Sequence, residues 1–403
     1  MHFSDRIQAL KISPIRRLIP YADAAKAKGK KVYHLNIGQP DIKTPAGYFE
    51  AIHNFTTDTI AYQPSQGILP LREEVAKYYN ALGVPFEPND IYITCGGSEA
   101  LSFAVNILCD PGDELLVPEP FYANYNTFAR LSLAKIVPIP TKAETGFHLP
   151  PEEVVESLIT PRTRAFWVSH PCNPTGVVYT PDEVHMLCRL AKKHDLFVIA
   201  DEAYREFVYE ADDYVSFGQV EDARDRVIMI DSVSKRYSVC GARIGWIAIK
   251  NKEFNAQVMK LCQGRLSVSE VEQVGVAALY RTTPKSYLQE VNKEYKMRRD
   301  VMYKGLLAID GVVCHEPKGA FYTMVKLPVD DSEKFIIWML ENFDIDGETT
   351  MAAPGSGFYA QPGLGLDEVR MAYVLKKEDI ERALYILKNA IAAYPGRAEA
   401  IRA

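Results

Sequence analysis

Residues 226–249 read Arg-Val-Ile-Met-Ile-Asp-Ser-Val-Ser-Lys-Arg-Tyr-Ser-Val-Cys-Gly-Ala-Arg-Ile-Gly-Trp-Ile-Ala-Ile, and this stretch is the most informative part of the 403-residue chain. Its two apolar runs, 227–230 and 244–249, are rich in β-branched residues and predict buried strands. The polar loop between them carries Ser232, Ser234, Lys235 and Arg243.

This loop can hold a cofactor. A lysine becomes nucleophilic when it is desolvated or lies beside another cation, because either change lowers the pKa of its amine. Arg236 and Arg243 are near enough in sequence to provide that cation. Lys235 can then bind an aldehyde covalently, while the hydroxyls and a guanidinium bind a phosphate. Taken alone, the same residues also fit a solvated basic hairpin, so the choice depends on residues upstream.

Composition describes an ordinary globular protein, with 47% hydrophobic and 24% charged residues. At roughly 100–200 residues per domain, the length predicts two domains. The net charge of −6 leaves no basic field for nucleic acid or an anionic membrane. No run approaches the ~18 apolar residues of a membrane span. The first residues mix acids and bases without an apolar core, which argues against a secretory signal.

Cysteine and histidine usage argues against a disulfide framework and against a metal site. The seven cysteines are widely spread without a Cys-x-x-Cys pair, and the eight histidines form no His-x-x-x-His pair. These residues predict thiols in a reducing compartment. We therefore expect a cytoplasmic protein without a bound metal.

Strand-like and helix-like segments alternate through the middle of the chain. Strands are predicted at 91–94, 114–117, 164–169 and 196–200, and helices at 99–108 and after residue 180. Thr180, Pro181 and Glu183 make a capping box with proline at the first helical position. This alternation predicts an α/β fold with a mostly parallel sheet that is covered on both faces.

The pattern changes near residue 285. A long charged helix is predicted at 287–306, followed by a short strand at 319–325 and helices at 333–342 and 378–393. This part predicts a smaller α+β domain. An N-terminal arm with a helical piece at 15–28 is expected to pack with it. The predicted domains are therefore a large one, 45–290, and a small discontinuous one, 1–44 plus 291–403.

Polar residues recur where the predicted strands end, which is where ligands bind in open α/β sheets. Gly96-Gly97-Ser98 opens a helix, and such N–H groups bind phosphate, although a tight turn fits equally well. Asn173-Pro-Thr-Gly176 also suits a turn. Asp201 ends a strand and either caps a helix or pairs with a cationic ring nitrogen, with Tyr204 as a donor to the same ring.

Two further patterns, at Arg370 and at residues 355–360, suggest ligand binding. Arg370 is flanked by apolar residues and suits a substrate carboxylate or a structural ion pair. Gly355-Ser-Gly-Phe-Tyr-Ala360 fits a dinucleotide fingerprint and would favour a nicotinamide-dependent oxidoreductase. However, Gln361-Pro-Gly363 follows where a helix should begin, so this segment is predicted to be a loop.

Together these segments resemble the class I/II aminotransferases, the fold-type-I enzymes that depend on pyridoxal 5′-phosphate. The resemblance extends from about residue 13 to residue 393 and includes Leu35-Asn-Ile-Gly-Gln-Pro-Asp41, Tyr62-Gln-Pro-Ser-Gln-Gly67, Gly96-Gly-Ser98, Asn173-Pro-Thr-Gly176, Asp201-Glu-Ala-Tyr204, Ser232-Val-Ser-Lys235, Gly241-Ala-Arg-Ile-Gly245 and Arg370. It implies a large α/β/α domain, a smaller α+β domain and a transaminase that is a homodimer.

The resemblance also implies roles. Lys235 would hold the cofactor and move the substrate Cα proton, and Asp201 would pair with the ring nitrogen. Asn173 and Tyr204 would bond the phenolic oxygen, and Tyr122 would stack on the ring. The phosphate would be held by Gly97, Ser98, Ser232, Ser234 and Arg243, with Tyr62 reaching it from the second subunit. Arg370 would bind the substrate carboxylate with Asn173 and the backbone of Gly38.

The resemblance leaves the substrate open. No residue matches the side-chain arginine of dicarboxylate-specific members, and Arg16, Arg130 and Arg265 are its possible sources. Glutamate with 2-oxoglutarate is expected as one pair, with aspartate or an aromatic amino acid as another donor. A carbon–sulfur β-lyase would use the same cofactor residues. A regulatory protein that keeps the fold without the chemistry is disfavoured, because the catalytic set is complete and no basic face is present.

Overall fold

The computed structural model describes residues 2–10, 12–210 and 214–398. Its strands are β1 (Lys31–His34), β2 (Ile91–Cys95), β3 (Glu114–Glu119), β4 (Lys135–Pro140), β5 (Thr163–Ser169), β6 (Phe197–Asp201), β7 (Val227–Ser232), β8 (Ile244–Ala248), β9 (Val313–Cys314), β10 (Tyr322–Lys326), β11 (Glu348–Met351), β12 (Ala353–Pro354) and β13 (Glu368–Ala372). Its helices are α1 (Asp5–Gln8), α2 (Ile19–Ala27), α3 (Ala46–His53), α4 (Leu69–Ala81), α5 (Gly97–Leu108), α6 (Tyr125–Leu131), α7 (Glu152–Ser157), α8 (Pro181–Lys193), α9 (Val233–Arg236), α10 (Lys252–Arg265), α11 (Glu270–Thr282), α12 (Lys285–Leu307), α13 (Ser332–Asn342) and α14 (Lys377–Ala393).

A seven-stranded sheet forms the centre of the larger part, in the order β2-β8-β7-β6-β5-β3-β4. The pairs from β7 to β4 are parallel, and β8 runs antiparallel to both of its neighbours. The two strands predicted around the Lys235 loop are therefore real neighbours. The mostly parallel α/β sheet is confirmed.

Side chains along the central strands alternate between two cores. In β7, Val227 and Met229 belong to a core that includes residues of α4, α8 and α11, whereas Ile228 and Ile230 belong to one that includes residues of α5 and α10. A strand buried on both faces requires apolar residues at every position, which explains its continuous apolar run. The carboxyl ends of these strands are left for polar residues.

The remaining chain forms smaller sheets with a core of their own. Strands β12-β13-β10-β9 make an antiparallel sheet, and β1 pairs in parallel with β11, with Lys31 opposite Glu348. The N-terminal arm therefore lies against the C-terminal part of the chain. The domain limits 45–290 and 1–44 plus 291–403 stay a prediction, and α12 runs unbroken through residue 290.

Local signals fix helix starts better than apolar periodicity does. The predicted capping box is present at α8, where Thr180 Oγ1 accepts from the Glu183 N–H at 3.2 Å and Glu183 accepts from the Thr180 N–H at 2.7 Å. The predicted helix at 15–28 begins only at Ile19, because Pro20 suits the first turn of a helix and not its interior. The predicted strand at 319–325 begins at Tyr322, because Ala320 has a φ of 54°.

Two further properties concern the described ranges alone. None of the helices there combines the length and the apolar character that crossing a bilayer needs. No three histidine, cysteine, aspartate or glutamate side chains of these ranges converge to hold a metal ion. The seven cysteines are free thiols.

Candidate active site

Lys235 lies in a one-turn helix at the carboxyl end of a central strand. Helix α9 follows β7 directly, and Ser232 caps it by accepting from the Ser234 backbone N–H at 3.1 Å. The half-buried Lys235 Nζ donates to the Gly38 carbonyl oxygen at 2.9 Å, and Cys240 Sγ is 3.9 Å away. The amine is therefore held between the large sheet and the N-terminal arm.

Small residues from two strand ends form a cradle beside this helix. Ser232 Oγ lies 2.8 Å from Ser234 Oγ, and Gly97 begins α5 so close by that an added methyl group would lie 3.8 Å from Ser232 Cβ. Gly245 has no such room, because a Cβ there would lie 2.6 Å from the Gly97 nitrogen. The cradle thus combines hydroxyls with the first N–H groups of a helix, a combination that suits a phosphate.

Arg243 completes the rim of this cradle. Its guanidinium rests against Gly96, and Nη1 donates to the Cys240 carbonyl oxygen at 3.1 Å. The side chain is otherwise exposed, so further donors face solvent. Ser98, the second residue of α5, is half-buried at the same helix start. An arginine beside a helix N-terminus favours an anionic ligand.

Asp201 is a buried carboxylate at the end of β6. Tyr125 Oη donates to its Oδ2 at 2.8 Å, and the Ala203 N–H donates to Oδ1 at 3.4 Å. Burial raises the pKa of Asp201 to about 6, against the hydrogen bond from Tyr125 and the charge of Lys235, which lower it. A carboxylate in such a place gains most from a cationic partner that is itself shielded from water.

Three tyrosines, Tyr122, Tyr204 and Tyr322, lie near these groups. Tyr204 and Tyr322 share a hydrogen bond of 2.9 Å between their hydroxyls, and Tyr322 Oη lies 3.5 Å from the Gly38 carbonyl oxygen. Burial raises the pKa of Tyr122 to about 12, while the charges of Arg370 and Arg16 oppose that rise. Burial also raises the pKa of Tyr204, so the phenols of Tyr122 and Tyr204 remain protonated near neutral pH and can donate hydrogen bonds.

Arg370 is buried beside the ring of Tyr322. Its Nη1 donates to Asn173 Oδ1 at 3.0 Å and its Nη2 to the Asn36 carbonyl oxygen at 2.6 Å. Its Nε has no hydrogen-bond partner among the described residues, and the guanidinium lies 4.4 Å from the Tyr322 ring centroid. Desolvation lowers the pKa of Arg370, and no carboxylate of the described residues is paired with it. Such a guanidinium is suited to a ligand's carboxylate.

The three arginines proposed above for a second carboxylate lie in different surroundings. Arg265 is engaged by the Ser65 and Ile93 carbonyl oxygens at 3.2 Å each, and Arg130 is exposed in the last turn of α6. Arg16 lies on a segment that covers the site, where the Ile15 carbonyl oxygen accepts from Asn36 Nδ2 at 3.0 Å. Arg16 is exposed and has no ion pair within the described ranges.

Most of the predicted site residues are thus connected by contacts around Lys235, whereas Tyr62 lies apart. Its side chain is 83% exposed in this chain, and the neighbouring Gln63 N–H donates to Ser267 Oγ at 3.2 Å. Sequence reasoning missed the partners Tyr125, Tyr322 and Asn36. Tyr125 and Asn36 had a signal, because Tyr125 follows Tyr122 in the same aromatic run and Asn36 lies in the segment Leu35-Asn-Ile-Gly-Gln-Pro-Asp41 that carries the resemblance.

The model of the family described as "Aminotransferase class I and II" matches residues 30–387. The chain belongs to this family. The probable aspartate aminotransferase of Methanocaldococcus jannaschii is 32% identical over 395 residues, which cover 96% of this chain and 99% of that relative. Among solved structures, aspartate aminotransferase from Thermus thermophilus with maleate has a TM-score of 0.88 at 28% identity, covering 97% of this aminotransferase and 100% of that chain. Alanine aminotransferase from Pyrococcus furiosus also has a TM-score of 0.88, at 29% identity and 96% and 99% coverage.

Pyridoxal 5′-phosphate is the cofactor of this transaminase, and the residues present fit it. The cradle at Gly97 and Ser232 suits its phosphate, and the Lys235 amine suits its aldehyde. The buried Asp201 carboxylate suits a cationic ring nitrogen. The cradle, the amine and the carboxylate therefore match the phosphate, the aldehyde and the ring nitrogen of the cofactor in turn.

Proposed function

We propose that this aminotransferase acts on dicarboxylic amino acids and their 2-oxo acids, with glutamate and 2-oxoglutarate as one pair and aspartate as another amino donor. The observations that carry the proposal are that Arg370 has no carboxylate partner among the described residues and that the segment carrying Arg16 packs through Ile15 on the cluster of Phe358, whose ring centroid lies 5.0 Å from the Arg370 guanidinium. The printed names of several relatives, which are aspartate aminotransferases, agree with this choice.

Arg370 binds the α-carboxylate of the substrate. Its two terminal nitrogens are already oriented by Asn173 and Asn36, so the planar guanidinium meets the carboxylate without further ordering. The unpartnered Nε supplies the additional donor that a two-point contact requires.

Arg16 binds the distal carboxylate. The segment that carries Arg16 is held in place because Pro14 packs against Gly357 and Ile15 packs against Ala123 and Phe358. An exposed guanidinium costs less to hold ready than a buried one, and it becomes desolvated when the substrate covers it.

Lys235 moves the proton. When bound, pyridoxal 5′-phosphate supplies an aldehyde that takes up the amino group and a ring that withdraws electrons from the substrate Cα. Lys235 Nζ takes the proton from that Cα and later returns a proton to the cofactor carbon that bore the aldehyde. A hydrogen bond of 2.9 Å to the Gly38 carbonyl oxygen orients the lysine side chain. Asp201 would pair as a carboxylate with the ring nitrogen, Tyr204 and Asn173 would donate to the phenolic oxygen, and Tyr122 would stack on the ring.

The active unit is a cytoplasmic homodimer, in which Tyr62 reaches the phosphate of the second subunit. Support comes from its 83% exposure and from exposed apolar neighbours in sequence and space, Ile60 and Leu266, which are 68% and 48% exposed. Exposed apolar surface of this kind is typical of subunit contacts. Free cysteines are consistent with a reducing compartment.

The decisive experiment follows the cofactor absorbance after single amino acids are added without a 2-oxo acid. Glutamate and aspartate should convert it with a kcat/KM well above that of alanine or phenylalanine. Arg16→Ala should lower kcat/KM for the dicarboxylic donors by roughly 10- to 100-fold and leave alanine unchanged, because only the former use a charge-assisted bond there.

Arg130→Ala is the matched control, since it removes an exposed arginine from α6 and should leave both donor classes unaffected. Equal loss for alanine and aspartate in Arg16→Ala would contradict a role for Arg16 in the distal carboxylate. A preference for aromatic donors in the parent enzyme would contradict the substrate class.

A further inference from the structure

A buried ion pair joins the two ends of the segment that carries Lys235. Asp231 precedes Ser232, Arg236 follows Lys235, and Arg236 Nη2 lies 2.6 Å from Asp231 Oδ2. The two side chains are 0% and 1% exposed. Their charges therefore meet inside the protein, while the residues between them face the cofactor cradle.

The carboxylate end of this pair is bonded on both oxygens. Asp231 Oδ1 accepts from the Ser232 backbone N–H at 2.6 Å, and Oδ2 also accepts from Tyr79 Oη at 3.2 Å. Tyr79 Oη in turn accepts from Trp246 Nε1 at 2.9 Å. Asp231 therefore ties the cap residue of α9 to α4 and β8.

The guanidinium end is tied to α11 and again to α4. Arg236 Nη1 donates to Tyr280 Oη of α11 at 2.7 Å, and its carbon centre lies 4.2 Å from the Tyr78 ring centroid of α4. Glu206 Oε1 is 3.5 Å from Arg236 Nε. Aromatic and anionic groups thus surround the guanidinium, whose Nε makes no hydrogen bond among the described residues.

We propose that the Asp231–Arg236 pair is a positioning device that holds helix α9 so that Lys235 Nζ and the hydroxyls of Ser232 and Ser234 keep their places in the site. The inference rests on the function proposed above for these three groups. Neither Asp231 nor Arg236 touches the reacting atoms, so both act through the backbone between them.

The length of α9 is the physical reason for such a device. A helix of one turn does not persist on its own, so its orientation depends on contacts made by its side chains. An apolar pair would fill the same space without the desolvation cost of two charges, yet it would not fix direction as a guanidinium does whose two terminal nitrogens bond Asp231 and Tyr280. A displacement of about 1 Å at a reacting group costs roughly 100-fold in rate.

The experiment compares a double replacement, Asp231→Leu with Arg236→Met, with the conservative variant Arg236→Lys and the parent enzyme. Arg299→Met is the matched control, because Arg299 is equally buried in α12 and bonds Glu210 at 3.0 Å away from α9. Each variant is measured for thermal unfolding, for the dissociation constant of pyridoxal 5′-phosphate from the cofactor-free protein, and for the isotope effect of α-deuterated glutamate on the half-reaction.

The double variant should unfold near the parent's temperature, because both charges of the pair are removed together and Glu206, which lies 3.5 Å from Arg236, keeps the hydrogen bond that Tyr78 donates to it. Its half-reaction should nevertheless slow by about 10- to 100-fold, with a larger isotope effect and cofactor binding weakened by about 10-fold. Arg236→Lys should recover part of the rate, since it restores the charge without the fork. Arg299→Met should change the unfolding temperature alone.

A double variant with parent-like rate, isotope effect and cofactor affinity would overturn the positioning role. So would a loss that follows unfolding temperature equally in all variants, including Arg299→Met. Lys235→Ala measured in parallel separates the two proposals. If it keeps the half-reaction, the role of Lys235 fails, and if it is inactive beside a parent-like double variant, only the positioning role fails.

Discussion

On one side of Lys235, the groups suited to a phosphate come from short segments at neighbouring strand ends, where Gly97, Ser232 and Gly245 approach one another through their backbones. On the other side, the groups around Arg370 come from side chains that are far apart in sequence, Asn36 and Asn173 among them. The first side is fixed by strand register and the second by packing between distant parts. Substitutions on the first side should therefore disturb the backbone, whereas substitutions on the second side should affect substrate binding alone.

Lys235 belongs to both sides, and its loss should have the largest effect. Lys235→Ala should lower turnover by roughly 10⁴-fold or more, because no other amine lies in position to move the proton. The fold should persist, since the Nζ atom makes a single short hydrogen bond, to Gly38. Steady-state assays and circular dichroism would check both statements, and appreciable residual turnover would refute the assignment.

Asp201 tests the buried floor that the two sides share. Burial raises the pKa of its carboxyl from 3.8 to about 6, so the folded protein holds this proton more tightly than the unfolded chain does. The associated stability is fully present below about pH 4 and is lost as the pH rises through 6. Ionisation of Asp201 thus lowers the free energy of unfolding by about 3 kcal/mol, whereas an asparagine at this position does not ionise.

Cofactor-free Asp201→Asn should therefore be more stable than the parent at pH 8, by up to about 3 kcal/mol, and the difference should close by pH 4. Urea unfolding at several pH values would measure it. Asp195→Asn is the control, because the Asp195 side chain is 98% exposed. A difference between parent and variant that is the same at every pH would contradict the pKa assigned to Asp201.

Arg370 tests whether the carboxylate side is independent. Arg370→Lys should raise KM by roughly 10- to 100-fold, because an ammonium cannot bind Asn173, Asn36 and a carboxylate in the geometry of a planar fork. Cofactor affinity should stay unchanged, which an absorbance titration would show. Weaker cofactor binding of similar size would mean that the two sides are coupled.

Gly245 tests the phosphate side with a smaller effect. A methyl group there would meet the Gly97 nitrogen at 2.6 Å and the Asp231 carbonyl oxygen at 2.8 Å. Gly245→Ala should therefore destabilise the protein by about 1–3 kcal/mol and weaken cofactor binding without changing KM. Gly97→Ala is the control, since its nearest contact would be 3.8 Å and its stability should change by less than about 0.5 kcal/mol. Equal effects of the two changes would contradict this account.

The sequence was informative where structure is local. The strands around Lys235, the capping box at Thr180 and the strand that ends at Asp201 follow from short patterns, and each is present. Family resemblance supplied the cofactor and the transaminase class. The role of each site residue, the contribution of Tyr62 from a second subunit and the domain limits stay predictions.

Sequence reasoning could not find contacts that depend on how distant segments pack. Tyr125 lies 76 residues from Asp201, and Tyr322 lies 118 residues from Tyr204. No periodicity or turn signal spans such separations. For the same reason the late start of β10 was missed, because the backbone turn at Ala320 is imposed by its surroundings, where its N–H donates to the Phe207 carbonyl oxygen at 2.8 Å.

The pairing of β1 with β11 bears on the order in which this protein matures. Lys31 leaves the ribosome early, yet its partner Glu348 is made only near the end of synthesis. The sheet from β2 to β8 has all of its strands by residue 248 and can collapse first. We therefore expect the hydrogen bond between Lys235 and Gly38, which is next to β1, to form only after β11 has been synthesised.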